Sequence, residues 1–169
     1  MSAKGWTVAV AIVAVLSFLP WGIYLAGLGK LTQSITDSSL KEALKQTIIM
    51  LEWYTVCAQF VNLVLILIAC ILQALRRTHS MFIMFLAVNS ALLIMRATDR
   101  IVAINYIDDN AYTAEEIFGV LHIKGDPLKY LRAEACGQVA SATMNFFLAI
   151  LLGLAGTAKV DLPQTAVAA

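Results

Sequence analysis

Residues 81 to 104 read MFIMFLAVNSALLIMRATDRIVAI, an apolar run that acquires three charges before it ends. Its uncharged part, Met81 to Met95, has 15 residues, which make about 22 Å of helix. A hydrocarbon core of about 30 Å requires about 20 helical residues. The helix must therefore continue through Arg96, Asp99 and Arg100 to the end of the run. This run predicts a membrane span that carries three charges near one face of the bilayer.

Three further segments are long and apolar enough to cross a bilayer, and they lie at residues 6–28, 49–75 and 133–158, beside the one at 81–104. Apolar residues make up 60% of the 169-residue chain and charged residues 14%, whereas ordinary soluble domains have about 45–50% and about 25%. A water-soluble domain of this size cannot bury that much apolar surface. The sequence predicts one all-α domain, a left-handed up-down-up-down bundle of four transmembrane helices in the lipid bilayer.

Local signals refine the ends of these helices. Ser39 and Glu42 match a capping box, and Asp126 before Pro127 matches an N-cap followed by proline at the first helical position. These signals predict that the second and fourth helices begin outside the apolar segments and extend beyond the membrane on the same side. A further capping box that starts at residue 113 predicts a short helix between the third and fourth spans.

The first segment is predicted to be a kinked span. Its apolar run is too long for the core of a signal peptide. Pro20 lies inside it and lacks the N–H that an α-helix uses at that position, so the helix should bend there. Trp6, Trp21 and Tyr24 are expected as interfacial anchors near the ends of this span.

Charge distribution predicts the orientation of the bundle. The face that would hold both termini and the turn at 76–80 has four basic residues and one acidic residue, whereas the opposite face has eight basic and ten acidic residues. The positive-inside rule counts only Lys and Arg, and by that count alone the opposite face leads. The adjacent Arg76 and Arg77 in a very short turn, with no acid beside them, favour cytoplasmic termini instead. We expect the chain in the plasma membrane or an endomembrane.

The strongest candidate site is a group of charges at similar depth on three helices: Glu52, Arg96, Asp99, Arg100, Arg132 and Glu134. Charged side chains inside a membrane are rare, and they normally face protein or water with a partner. One interpretation is a structural clamp in which Glu52 and Glu134 neutralise the arginines of the third span. Another is an ion gate, a substrate gate or a proton relay, and a third is snorkelling to the interface. The similar numbers of positive and negative charges favour mutual neutralisation over a selectivity ring.

Uncharged polar residues form a second candidate group within the spans: Gln59, Asn62, Asn89, Gln138, Ser141 and Asn145. They could line an aqueous pore. Hydrogen bonds between helices, worth about 0.6–2 kcal/mol each, are the favoured interpretation. Four short helices also leave little room for water inside one protomer, so a pore would lie between protomers.

Small residues at helical spacing indicate close helix packing: Gly22, Ala26, Gly137, Gly153 and Gly156, with Gly137 four residues before Ser141. Patterns of two small residues four apart let helices approach closely in membranes. The contacts would lie either within the bundle or between copies of the chain, and the pattern does not choose between them.

The sequence offers little for catalysis or cofactor binding. Its two histidines, His79 and His122, fall outside the predicted spans, where an axial haem ligand is not expected, and the three cysteines do not cluster with them as zinc ligands would. Residues 108–110 could bind a surface cation but lack the spacing of a calcium-binding loop. No catalytic triad, zinc-protease or nucleotide-binding pattern occurs, and a net charge of +1 gives no field for nucleic acid. We therefore expect no enzyme activity, no metal and no cofactor.

Four spans with short cytoplasmic ends, a tiny middle turn and the charges Arg96, Asp99 and Arg100 late in the third span resemble the MARVEL-type tetraspans and the related Casparian-strip membrane proteins. This resemblance implies a protein that organises membrane domains and assembles with itself. The Casparian-strip proteins also carry an arginine in the first span, and this chain has none there.

Taken together, the patterns predict a non-enzymatic tetraspan that acts as a structural, scaffolding or accessory subunit. It would work by lateral association, either as a homo-oligomer or as a subunit of a larger membrane complex. The alternative is a protomer of an oligomeric ion channel or small-solute transporter, with Arg96, Asp99 and Arg100 as its gate.

Overall fold

A computed structural model describes residues 3–36, 42–109 and 126–158, which are almost entirely helical. The helices follow one another along the chain as α1 at Ala3–Leu16, α2 at Phe18–Thr36, α3 at Glu42–Ile71, α4 at Leu75–Asp108 and α5 at Pro127–Thr157. Within these residues, four stretches are long and apolar enough to cross a membrane, namely Lys4–Gln33, Met50–Ile71, Leu75–Asp108 and Pro127–Thr157. The prediction of an all-helical chain with four long apolar helices is confirmed, and it is consistent with a multi-pass membrane protein.

The turn between the second and third spans lies at residues 72–74 and not at the predicted 76–80. Arg76, Arg77 and His79 belong to the first two turns of α4 instead of a loop. This helix has 34 residues, about 51 Å at 1.5 Å per residue, and it passes both ends of the predicted span. Hydropathy locates the part of a helix that suits lipid, whereas polar residues can continue the helix on either side. The first span passes the predicted 6–28 at both ends for the same reason.

A Schellman motif ends α3 and makes this turn. The N–H of Ala74 donates to the carbonyl of Ala69 at 2.9 Å, and the N–H of Gln73 donates to the carbonyl of Cys70 at 3.2 Å. These two bonds satisfy carbonyls that the helix end would otherwise leave unpaired. The motif requires a left-handed residue, and Gln73 takes that conformation with φ of 54°. Glycine is the usual residue there because it has no Cβ.

The kink predicted from Pro20 corresponds to an interruption of the helix at Ser17, between α1 and α2. A proline ring clashes with the carbonyl four residues earlier, which here belongs to Leu16, and the missing N–H leaves that carbonyl without its helical partner. At Ser17 the backbone N–H, at 2.9 Å, and the hydroxyl, at 2.7 Å, both donate to the carbonyl of Val13, a pattern that often accompanies bends in helices. The first candidate span therefore consists of two helical segments, α1 and α2, separated at Ser17.

The predicted cap of the fourth long helix is also confirmed. The carboxylate of Asp126 accepts the N–H of Lys129 at 3.3 Å, and Pro127 occupies the first turn. Hydrogen bonds from Lys129 hold the pKa of the Asp126 carboxyl below its usual value. α3 begins at Glu42, close to the predicted start, but the capping serine and the short helix predicted from residue 113 lie outside the described residues.

The helices pack around a shared core in which α5 makes the most extensive contacts, with α4 on one side and with α1 and α2 on the other. α3 completes the bundle by packing on α4, α1 and α2. The end of the bundle that holds the start of α1 and the α3–α4 turn has an apolar core: Val10, Leu63, Ile66, Leu86, Leu148 and Leu152. The opposite end, called the polar half below, buries a different set: Glu52, Gln59, Asn89, Arg100, Glu134, Gln138 and Asn145.

Candidate functional site

Glu52 lies at the centre of the polar half. Its side chain has no exposed surface, and its Oε1 accepts Nε of Arg96 at 2.6 Å and a terminal nitrogen of Arg100 at 3.1 Å. Its Oε2 accepts the hydroxyl of Tyr24 at 2.6 Å and Nε2 of Gln138 at 3.0 Å. The donors come from α4, α2 and α5, while Glu52 itself lies on α3. One carboxylate therefore joins all four spans.

Glu134 on α5 is the second fully buried carboxylate. Its Oε1 accepts Nε of Arg100 at 3.0 Å, so Arg100 bridges Glu134 and Glu52 through two different nitrogens. We call Glu52, Arg96, Arg100 and Glu134 the ion-pair network. It contains two carboxylates and two guanidinium groups, so its formal charges balance. Such pairing offsets part of the large cost of holding charges away from water.

Two of the predicted cluster residues do not belong to this network. Arg132 points outward, with 55% of its side chain exposed, and pairs with Asp108 at 2.7 Å. Residues two apart on a helix do not share a face, so Arg132 could not join its neighbour Glu134. Asp99 is 57% exposed and contacts Arg96 alone among the network residues, at 3.2 Å. Asp99 thus lies at the margin of the network rather than inside it.

Tyr24 is a network partner that the sequence analysis missed. It was expected at the membrane interface, but its side chain is fully buried and its hydroxyl donates to Glu52. Trp21 also makes an interhelical contact, since its Nε1 donates to the carbonyl of Val56 on α3 at 3.0 Å. The spacing of Tyr24, Leu28 and Leu31 was the available signal, because residues four and three apart share one helix face.

Below the network, three of the predicted polar residues form an amide layer. Nε2 of Gln59 donates to Oδ1 of Asn145 at 2.7 Å, and Nδ2 of Asn145 donates back to Oε1 of Gln59 at 3.0 Å. Nδ2 of Asn89 donates to the same Gln59 oxygen. The layer connects α3, α4 and α5 as interhelical hydrogen bonds do in membrane bundles. Asn62 and Ser141 are buried but stand outside this layer.

The small residues divide between inner and outer faces. A Cβ on Gly137 would lie 2.5 Å from the backbone nitrogen of Tyr24, so α5 and α2 meet backbone to backbone there. Gly156 packs against the His79 ring, whereas a Cβ on Gly22 or Gly153 would meet nothing within 4 Å. Ala26 is exposed. An intramolecular role for Gly22, Ala26 and Gly153 is therefore wrong.

Gly27 is the close-packing residue that the sequence analysis did not identify. A Cβ at this position would lie 2.8 Å from the backbone nitrogen of Glu134 and 3.1 Å from the carbonyl oxygen of Tyr130. Gly27 and Gly137 thus define the crossing of α2 and α5. This crossing sets the depth of Glu134 relative to Tyr24, and so positions the network.

Within residues 3–36, 42–109 and 126–158, no three His, Cys, Asp or Glu side chains converge as metal ligands would. Cys57 and Cys136 are exposed thiols on the outside of the bundle, and Cys70 is buried in the apolar core. The chain matches no protein-family model, no curated protein and no solved structure. The resemblance to MARVEL-type tetraspans therefore stays a prediction.

Proposed function

We propose that this chain is a non-enzymatic structural or accessory tetraspan that acts in the membrane by lateral association with itself or with other membrane proteins. The observation that carries the proposal is the ion-pair network. Glu52 and Glu134 form ion pairs with Arg96 and Arg100 inside the bundle, so these charges neutralise one another. A site that selects ions instead presents charge of one sign to a water-filled path.

The apolar end of the core also favours a structural role over transport through one protomer. Between the amide layer and the α3–α4 turn, the core consists of apolar side chains that are fully or almost fully buried: Leu63, Ile66, Leu86 and Leu148. Such a layer offers no hydrogen bonds to a solute or ion that has passed the polar half, and the cost of moving a bare charge through it is high. The apolar core therefore favours a structural role for the bundle over a transport path through a single protomer.

The outer face of α2 is suited to lateral contact. Gly22, Ala26 and Gly29 follow one another at a spacing of four and three residues, and a Cβ on either glycine would meet nothing within 4 Å in the bundle. Small residues on a lipid-facing surface allow a second helix to approach closely. We propose this face as the contact between copies of the chain.

The experiment compares self-association of two matched variants. Ala26→Leu enlarges the proposed contact, and Ala87→Leu makes the same change at an exposed alanine of α4. After crosslinking in liposomes, Ala26→Leu is expected to reduce the dimer and higher bands, while Ala87→Leu leaves them as in the parent chain. Equal crosslinking of both variants would exclude the α2 face, and a strictly monomeric parent chain would exclude self-association altogether.

A second candidate function is a protomer of an oligomeric channel or small-solute transporter. The exposed Asp99, held beside Arg96 on the outside of α4, favours it because such a carboxylate could line a path between protomers. Purified protein in liposomes should then conduct ions or solutes, and Arg96→Ala should abolish the flux. Liposomes that show crosslinked oligomers and no flux favour the structural role.

A further inference from the structure

Three buried polar atoms on the inner face of α5 have no hydrogen-bond partner among the described residues. They are Oε2 of Glu134, Oε1 of Gln138 and Oγ of Ser141. A fourth, Oδ1 of Asn89, lies on α4 beside the amide layer. Buried polar atoms in folded proteins are nearly always satisfied, by protein or by ordered water. These four atoms therefore point to a bound species that offers hydrogen bonds or positive charge.

The orientation of the two amides is set by their neighbours. Nε2 of Gln138 donates to Oε2 of Glu52 at 3.0 Å, and a flipped amide would bring its oxygen against that carboxylate. Nδ2 of Asn89 donates to Oε1 of Gln59, so its oxygen also faces elsewhere. The free atoms are consequently three pure acceptors and one hydroxyl. The bound species must be a donor of hydrogen bonds or a cation.

Charge decides between these two classes. The carboxylates of Glu52 and Glu134 are already balanced by Arg96 and Arg100. A cation at Glu134 would add an unbalanced positive charge beside a guanidinium group, in a region of low dielectric where repulsion is strong. Water supplies the same hydrogen bonds without added charge, and it commonly occupies buried polar sites with two to four partners.

We propose that a chain of bound water runs along the inner face of α5 from Glu134 past Gln138 and Ser141 towards Asn89. It stops at the apolar core, where Leu86 and Leu148 offer no partners. The proposal goes beyond lateral association and does not depend on it, since it rests on atoms inside one bundle.

Hydroxyl-radical footprinting of the full chain in lipid nanodiscs tests the water chain directly, because X-ray pulses generate radicals from bound water in place. Tyr24 and Gln138 donate to the same oxygen of Glu52, so the Tyr24 hydroxyl lies beside the Gln138 amide whose oxygen would bind the proposed water. Phe82 is an aromatic side chain of comparable reactivity, almost fully buried in the apolar core. Tyr24 is expected to be oxidised about tenfold faster than Phe82, since only the polar half holds water.

Two matched variants identify the path. Ser141→Ala removes a hydroxyl without a partner and should slow oxidation of Tyr24. Ser90→Ala removes a buried hydroxyl that already donates to the carbonyl of Leu86 at 2.7 Å, and it should leave the Tyr24 rate unchanged. Equal, low rates for Tyr24 and Phe82 in the parent chain would overturn the proposal. A Tyr24 rate that falls when sodium replaces choline would assign these oxygens to a cation instead of water, and would overturn it as well.

Discussion

Glu52 shows how one residue can connect four long apolar helices. Its two oxygens accept from Arg96, Arg100, Tyr24 and Gln138, so every span contributes to its environment. A buried ion pair contributes little net stability compared with a well-packed apolar pair, but removal of one partner leaves an uncompensated charge. The network therefore contributes mainly to specificity: it disfavours helix arrangements that would leave one of these charges buried without a partner.

Neutralising Glu52 should destabilise the bundle strongly. Glu52→Gln keeps the size of the side chain but leaves two guanidinium groups with a single buried carboxylate. We expect the free energy of unfolding to fall by about 3–5 kcal/mol. A denaturant titration in detergent micelles, followed by circular dichroism, measures this change.

Asp108→Asn is the matched control, because it neutralises a carboxylate that pairs with Arg132 on the surface. Exposed pairs are worth about 0–1 kcal/mol, so this variant should unfold almost as the parent chain does. If both substitutions had the same small effect, Glu52 would not be the centre of the network.

Gln73 offers a stabilising substitution. Its backbone has φ of 54° at the end of α3, a conformation that costs a residue with a Cβ roughly 1–2 kcal/mol. Gln73→Gly should raise the free energy of unfolding by about 1 kcal/mol. The same titration measures it, with Ala74→Gly as the control. Ala74 has φ of −88°, so glycine there relieves no strain and should not stabilise.

At the level of elements, the crossing of α2 and α5 determines the geometry of the polar half. Gly27 and Gly137 let the two backbones touch, and this contact brings Tyr24 of α2 and Gln138 of α5 to the same oxygen of Glu52. The helices could not approach this closely with larger residues at the crossing. Close approach is also the main source of association between helices in lipid, because the hydrophobic effect is absent there.

Two glycines of α2 test this crossing. Gly27→Ala places a methyl group against the backbone of Glu134 and Tyr130, and overpacking of this kind costs about 1–3 kcal/mol. In the monomeric chain, the methyl group of Gly29→Ala meets nothing within 4 Å, so this variant should be neutral or stabilising by up to about 1 kcal/mol in detergent that keeps the chain monomeric, because alanine favours helix. Thermal unfolding in detergent compares the two. A Gly27→Ala variant as stable as Gly29→Ala would show that the helices are not in backbone contact.

At the scale of the whole molecule, the bundle is asymmetric along its axis. The polar half lies at the end where α4 stops and α5 starts, and the apolar half lies at the end with the α3–α4 turn. Arg76 and Arg77 are exposed beside that turn, with Leu72 also exposed. Basic residues next to a span stay in the cytoplasm, so the polar half should face away from it.

Reporter fusions test this orientation. A green fluorescent protein fused to the C-terminus should fluoresce in bacteria, and alkaline phosphatase at the same position should be inactive, because both termini are expected in the cytoplasm. The double substitution Arg76→Glu and Arg77→Glu should raise phosphatase activity, whereas Lys129→Glu on the opposite side should not. An active phosphatase fused to the parent chain would reverse the assignment.

Hydropathy along the chain was sufficient to predict four long apolar helices. Charge at similar depth singled out six residues, of which Glu52, Arg96, Arg100 and Glu134 form the network, whereas Asp99 and Arg132 lie outside it. Both inferences depend on depth in the membrane, which follows from position along a helix. The bend near Pro20 and the cap at Asp126 were also predictable, because they depend on neighbouring backbone groups alone. The turn at residues 72–74 was misplaced because polar residues beyond it continue α4 without an apolar signal.

The rotation of each helix about its own axis, which decides the side chains that face the core, was determined only by the packing of the helices. Three features depend on how the helices fit against one another. They are the contact of Tyr24 with Glu52, the choice of Gly27 rather than Gly22 as the glycine that meets α5, and the pairing of Arg132 with Asp108. Depth is a property of one helix in a solvent of known thickness, so the residues of that helix suffice to determine it. The facing of a side chain depends on residues far apart in the chain, and only the assembled bundle brings them together.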